Sequence, residues 1–333
     1  MRSRRLTRTL AVLTLAASGP LGCREKLAPS SVQTAPLAYV SEEESGDVVV
    51  VDLARAEILA RVAVGERPRG LRLSADGKAV YVATAKGVAV VDIATRKLVR
   101  MLPAGADPES LAVSPDGKTL FVSSDKTAEL TAVDVASGTV RGTAHVGRSP
   151  DGVTMRADGK VVLVASREEN EVTVVDASTL TVLVRVPTGA RPRSIVFAKD
   201  GQTLFVMNEA AATVTVLDAR TYAPLATIPV HEDSPMPSGP RPMGGALSPD
   251  GTKLYVSCGR GGSIAVVDVA SRKQTRSIDG AGDRVWGIAA SPDGTHVYTA
   301  NGVSHDVSIV NVVTGNVDTR VFVGGSPWDV VLR

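Results

Sequence analysis

Residues 108–144 read PESLAVSPDGKTLFVSSDKTAELTAVDVASGTVRGTA. Within them, Ser114-Pro115-Asp116-Gly117 has the chemistry of a tight turn: proline presets φ at the second position, and glycine takes positive φ freely at the fourth. Short runs rich in β-branched residues surround it and predict strands over 110–114, 119–123, 130–135 and 139–144. Four strands of about five residues in one unit of about 42 residues have the dimensions of a β-propeller blade.

The unit repeats. A large apolar residue followed by Val or Thr and two small or polar residues begins at Tyr39, Tyr81, Phe121, Leu163, Phe205, Tyr255 and Tyr298, at spacings of 42, 40, 42, 42, 50 and 43. A second phrase, an apolar pair closed by a short polar residue, places Asp52, Asp92, Asp134, Asp176, Asp218, Asp268 and Asn311 at 40, 42, 42, 42, 50 and 43. Two markers in one register predict an all-β fold, a seven-bladed β-propeller of four-stranded antiparallel blades. The Asp-Gly of the hairpin recurs at Asp76, Asp158, Asp200, Asp250 and Asp293.

The two ends of the repeat array are complementary. The first repeat opens at a second strand and lacks its innermost one, whereas Ser326-Pro-Trp-Asp-Val-Val-Leu-Arg333 is an innermost strand with no successors. The C-terminal strand is therefore expected to complete the first blade, leaving no open edge between blades. An open solenoid would carry capping repeats instead.

Composition agrees. With 44% hydrophobic and 22% charged residues the chain can bury a core, which excludes a disordered protein. Aromatic residues are only 3% against 31 glycines, a mixture that suits β-branched strands and glycine turns better than a helical bundle. Two cysteines exclude a disulfide scaffold.

The N-terminus reads as an export signal over residues 1–22. Arg2, Arg4, Arg5 and Arg8 precede the apolar run 10–17, which is too short to span a membrane, and Pro20-Leu21-Gly22-Cys23 closes it. A cysteine there resembles the lipobox of bacterial lipoproteins, which implies lipidation at Cys23, although Pro20 and Leu21 stand where that family prefers Leu and a small residue. Residues 23–37 have Pro, Ser and charge without periodicity and read as a lipid-anchored flexible tether, with the propeller over 38–333. Loss of the signal takes four arginines and no acid, so 33 basic groups face 35 acidic ones, a formal net charge of −2. That balance gives no electrostatic case for binding nucleic acid.

Tyr39-Val-Ser, Tyr81-Val-Ala and Tyr255-Val-Ser, with their Ser-Pro-Asp-Gly turns and Val-Val-Asp strands, resemble the YVTN-type β-propeller repeat family over residues 38–333. Gly65-Glu-Arg-Pro-Arg-Gly70, Arg284-Val-Trp286, Tyr298-Thr-Ala-Asn-Gly-Val-Ser304 and Ser326-Pro-Trp328 are similar to the β-propeller proteins associated with PQQ-dependent alcohol catabolism. That resemblance implies an exported accessory protein near quinoprotein dehydrogenases.

In a propeller the loops leading into the innermost strands open on one face around the central channel, where ligands bind. Those loops here carry a Gly-x-x-Pro-x phrase. The residue after the proline position is Arg69, Glu109, Asp151, Arg193, Met243, Trp286 or Trp328. The residue before it is Arg67, Asp107, Ser149, Arg191, Arg241, Arg284 or Ser326. Side chains that vary on a regular scaffold mark a grafted site. The arginines are forked donors suited to carboxylate or phosphate, and the tryptophans offer a surface for an apolar portion. Arg69 and Arg193 are expected to be exposed charges aimed inward, at little cost to folding when removed. The alternative is structural, with arginines and acids neutralising one another and the indoles capping the inner strands.

No catalytic residue is expected. His145, His231, His296 and His305 occupy unrelated repeat positions and make no zinc spacing, and Cys258 ends a second strand where other repeats carry small or polar residues. Adjacent cysteines and a Cys-x-x-Cys-His haem site are absent from the sequence, so neither cofactor is expected, and no metal. These readings converge on a monomeric binding module of the bacterial envelope, on the periplasmic side of the outer membrane or in the periplasm. Its partner would be an envelope protein or a small anionic ligand, and the membrane would be touched only through the lipid. A propeller enzyme of the lactonase or lyase kind is the alternative, with a calcium held in the channel by Glu109, Asp151 or Asn301. The extra length between blades five and six, His231 to Pro242, reads as a stiff loop on the mouth side.

Overall fold

A computed structural model describes residues 36–231 and 239–333. The export segment, Cys23, nearly all of the expected tether and the middle of the insertion before Pro242 lie outside the described residues. What is described is strand and turn, with no helix, arranged as seven four-stranded antiparallel sheets.

Blade three shows how the local sequence works. Its strands are Pro108–Val113, Thr119–Ser124, Glu129–Asp134 and Val140–His145. At the hairpin, Gly117 has φ 71° and its N–H donates to Ser114 O at 2.8 Å, while Asp116 Oδ1 accepts from Ser114 Oγ and Lys118 N. The acid that closes each third strand has an equally local duty. Asp134 Oδ1 accepts from Ser137 N and Oγ, and Asn311 Oδ1 accepts from Val313 and Thr314 N. A short polar side chain that bonds backbone two or three residues on shapes the turn, which is why Asp and Asn hold that position.

Second and third strands are apolar in both directions because each blade is covered on both faces by its neighbours. Thr119–Ser124 and Val161–Ser166 are buried throughout, whereas the outer strand Val182–Pro187 is largely exposed. Each hydrophobic cluster joins two adjacent blades, and there are seven of them, one per interface around the ring. The closing interface is among them: Ala38, Val40, Val49 and Val51 of blade one pack against Ala300, Val307 and Ile309 of blade seven.

Pro327–Leu332 pairs antiparallel with Leu37–Glu42, Tyr39 opposite Val331 and Val40 opposite Val330. Leu37 and Arg333 exchange backbone hydrogen bonds at 2.9 and 2.8 Å. The first sheet therefore takes three strands from the start of the repeat array and one from its end, and the ring is closed.

Candidate functional site

Six of the seven loops before the inner strands share a backbone device. Arg67, Asp107, Ser149, Arg191, Arg284 and Ser326 all lie at positive φ, between 50° and 60°. For a non-glycine residue this conformation costs about 1–2 kcal/mol, so the surrounding contacts must hold it. In five of them the carbonyl of that residue does so: Asp107 O accepts from Asp125 N, Ser149 O from Arg167 N, Arg191 O from Glu209 N, Arg284 O from Gly302 N, and Ser326 O from Glu43 N, at 2.9–3.2 Å, while in blade two Ala85 N donates to Glu66 O at 2.8 Å. Each bond ties the loop to the residue that follows the second strand of the same blade.

Two rings of side chains result. The residues after the proline position form one: Trp328, Arg69, Glu109, Asp151, Arg193, Met243 and Trp286, in blade order. The residues following the second strands form another: Glu43, Ala85, Asp125, Arg167, Glu209, Gly259 and Gly302. Sequence reading found the first ring and missed the second. Its signal was present, four positions after each Tyr-Val marker, where the residue type varies as freely as in the first ring.

The rings interlock by charge on one side. Arg69 donates from Nε and Nη2 to Glu43 Oε1 at 3.0 and 2.6 Å, and from Nη1 to Glu109 Oε1. Arg193 donates from Nη1 to Asp151 Oδ2 and from Nε to Glu209 Oε2, both at 2.7 Å. Arg67 Nη1 meets Asp107 Oδ1 at 2.7 Å, Arg191 Nε meets Glu209 at 3.3 Å, and Arg167 lies 3.3 Å from Asp125 and 3.8 Å from Asp151. The forks of Arg69 and Arg193 are thus taken by carboxylates, and neither arginine is an exposed charge, since the Arg193 residue is only 8% exposed. Their removal would strand buried acids, which corrects the expectation that it would hardly affect folding.

Aromatic contacts complete the circuit. The indoles of Trp286 and Trp328 stack with centroids 4.2 Å apart. The Arg69 guanidinium lies 4.5 Å from the Trp328 ring, while Arg193 and Arg284 lie 5.5 and 5.4 Å from the Trp286 ring. Arg284 has no carboxylate partner among the described residues. Met243 is buried in blade six, and half-buried Arg241 bonds through its N–H to Cys258 O at 3.2 Å. Where the second ring is glycine, the first ring is bulky. A Cβ on Gly302 would stand 2.7 Å from Trp286 Nε1, and one on Gly259 3.0 Å from Met243 Cγ.

A cavity of about 300 Å³ is lined by Glu109, Asp151, Arg193, Met243, Trp286 and Trp328, together with a set of small residues such as Gly70, Ser110, Gly152 and Gly287. Inner strands approach closely at these small residues: a Cβ on Gly152 would meet Arg193 O at 2.4 Å. Serine hydroxyls lock blade to blade at the same level. Ser41 donates to Arg69 O, Ser123 to Asp151 O and Ser257 to Trp286 O, at 2.5–2.7 Å.

Burial, reinforced by the nearby Asp151 charge and only partly opposed by Arg69, pushes the Glu109 carboxyl up to about 7. Burial also works against ionised Glu209, but Arg193 and Arg191 outweigh it and hold that carboxyl below its ordinary value. Arg69 and Arg193 are raised: burial lowers them, and their paired carboxylates more than offset it.

Among the described residues no cluster of three or more His, Cys, Asp or Glu side chains is arranged to hold a metal. Asn301, considered as a calcium ligand beside Glu109 and Asp151, instead donates to Ala281 O, Asp306 Oδ1 and Ser308 Oγ and does not line the cavity. His305 sits in a turn at φ 58°, its Nδ1 facing Ser326 N at 3.3 Å and its ring edge-on to Phe322.

Comparison with known proteins returns the same architecture. The family described as "Lactonase, 7-bladed beta-propeller" matches residues 176–331, and that described as "YNCE-like beta-propeller" matches residues 84–158, each under half of the chain. No curated protein sequence matches. Among solved structures, the chain superposes on Kuenenia stuttgartiensis hydrazine synthase with a TM-score of 0.74 at 18% identity, covering 88% of this chain and 99% of that one. A Bacteroides fragilis protein whose 6-phosphogluconolactonase name is provisional gives 0.74 at 20%, covering 92% and 100%. A Bacteroides uniformis protein, provisionally named in the same way, gives 0.74 at 18%, covering 90% and 100%. At such identities the likeness is one of fold, and the chain is a seven-bladed β-propeller.

Proposed function

We propose that the chain is an exported binding module, anchored through lipidated Cys23 to the periplasmic side of the outer membrane. Its channel mouth receives a small ligand, and the protein serves as an accessory to quinoprotein-dependent alcohol catabolism. One observation carries the binding reading: a regular sevenfold scaffold presents unlike side chains, Glu109, Asp151, Arg193, Met243, Trp286 and Trp328, around a cavity of about 300 Å³, which falls at the small end of ligand pockets. Capture of periplasmic metabolites and envelope proteins on the purified protein tests it, compared with a Trp286→Ala, Trp328→Ala double variant. Retention of the same species by both would remove the mouth from the function.

A lactonase-type hydrolase is the second reading, favoured by the family match over residues 176–331 and by a cavity carboxyl near neutrality beside an arginine. Glu109 would act as general base toward water, a role suited to a group titrating near the working pH. Hydrolysis of 6-phosphogluconolactone and simple lactones, followed in a pH-stat, tests it; rates equal to buffer for the wild type would end it.

A further inference from the structure

The charged side of the mouth is not balanced. Its ion pairs form two groups: Arg67 and Arg69 with Glu43, Asp107 and Glu109, and Arg167, Arg191 and Arg193 with Asp125, Asp151 and Glu209. The second group balances and the first has one acid in excess; its Glu109 lines the cavity beside Asp151 of the adjacent blade. The Glu109 side chain is only 2% exposed, and among the described residues just one of its oxygens is hydrogen-bonded, the Oε1 that accepts from Arg69. Asp151 likewise engages Arg193 and Arg167 through Oδ2 alone. The second oxygen of each residue has no protein donor among the described residues and is not sealed from the cavity, so it is open to a donor brought by a ligand. Across the cavity stand Met243, Trp286 and Trp328, which offer apolar surface.

We propose that the mouth takes a small organic cation, a primary ammonium carried on an apolar or aromatic body, with the ammonium held between Glu109 and Asp151 and the body against the indoles. This rests on the reading of the mouth as a ligand site and assigns its ligand the charge opposite to the one the arginines suggest from sequence. An anion in the cavity would find Arg69 and Arg193 already engaged by carboxylates, and Arg284, which has no carboxylate partner among the described residues, stands over Trp286 and does not line the cavity.

The proposal has a proton balance. In the free protein below about pH 7 a proton on Glu109, which faces Asp151, Arg69 and Arg167, offsets the surplus. An ammonium entering with its own protons replaces that one, which leaves to solvent while Glu109 becomes ionised. Below neutrality, binding therefore releases close to one proton per ligand, and affinity rises by up to about tenfold per pH unit until near 7, then levels.

The test uses three probes with one body and different charge: phenethylamine, phenylacetate and 2-phenylethanol, titrated calorimetrically into the purified full chain. At pH 6 the measurement is made in two buffers of different ionisation enthalpy, which counts protons. Phenethylamine is expected to bind at least about tenfold more tightly than the other two, a difference of about 1.4 kcal/mol, and to release close to one proton. Glu109→Gln, which mimics the protonated carboxyl and should fold, is expected to lose that preference and the release. Phenylacetate or 2-phenylethanol binding as well as the amine overturns the ammonium assignment while leaving a ligand site. Amine binding that releases no proton and is unchanged in Glu109→Gln overturns it as well. Failure of all three probes to bind overturns the small-ligand reading of the mouth together with it.

Discussion

The indole of Trp328, supplied by the closing strand, stacks on that of Trp286 in blade seven, with the planes 20° from parallel. The seam where the ring is fastened is therefore also a wall of the candidate site. Each of these rings also has a guanidinium near it, Arg69 at 4.5 Å from the Trp328 centroid and Arg193 at 5.5 Å from that of Trp286, and those two arginines lead into the acids of blades three and four. Six of the seven blades are thus joined in one circuit at the mouth.

Stacked indoles couple electronically, and these are the two tryptophans of the chain. The folded protein is expected to show an exciton couplet in its circular dichroism, lost in either Trp286→Phe or Trp328→Phe. Loss of the stack should cost about 0.5–1.5 kcal/mol beyond the change in buried area. A couplet that survives in one single variant would mean that the rings do not stack in solution.

Arg193→Met keeps much of the stem packing but leaves Asp151 and Glu209 without their shared cation. A loss of about 3–5 kcal/mol is expected, the scale for breaking a buried ion pair. Urea unfolding measures it, and adding Asp151→Asn should recover part of the loss by removing a stranded charge. A single variant as stable as wild type would show that the pair is solvated.

Closure can be tested by removing residues 326–333. The truncation strips Leu37–Glu42 of a paired neighbour and exposes Val330, which is 3% accessible. Burial of one such side chain is worth about 1.5–3 kcal/mol, before the lost ladder is counted. The truncated chain is expected to melt at a lower temperature and to bind a dye for exposed apolar surface. Melting at the wild-type temperature would contradict the closed ring.

Glu109 should leave a mark on stability against pH. Its folded carboxyl titrates at about 7, above the value near 4.5 of an unburied glutamate, so between those limits the folded state holds a proton that the unfolded state lacks. Its contribution is fully present below about 4.5 and is lost as pH rises toward 7, by at most about 1.4 kcal/mol per pH unit. The stability of wild type relative to Glu109→Gln should fall across that window and stay level above it. A flat difference would show that Glu109 is ionised throughout.

The fold was legible in sequence because its markers have local physical duties. A short polar side chain that accepts hydrogen bonds just ahead of it is needed afresh at the end of each third strand, and a glycine at positive φ behind Asp at six of the hairpins. Positions of the first ring were legible for the same reason, since the loop before each inner strand repeats. Glu43, Asp125, Arg167 and Glu209 recur at a fixed place as well, but their place at the mouth does not show in their residue types, because what holds them there is a backbone carbonyl on a residue at positive φ. Arg67, Asp107, Ser149, Arg191, Arg284 and Ser326 share no side-chain chemistry that would announce that conformation. Pairing was hidden as well: that Arg193 reaches back to Asp151 while touching Trp286 two blades ahead depends on the width of the channel.

The pairing of Pro327–Leu332 with Leu37–Glu42 has a consequence in time. These are the last and first of the described strands along the chain, so during synthesis one edge of Leu37–Glu42 waits with unpaired amides and carbonyls until all the other blades have emerged. Loop closure over such a separation is slow, and a waiting edge invites pairing with other chains. The strand that ends the wait also delivers Trp328 to the cavity. A chain cut short during synthesis would therefore lack both its fastening and a wall of its pocket, so that assembly of the pocket itself reports a completed ring.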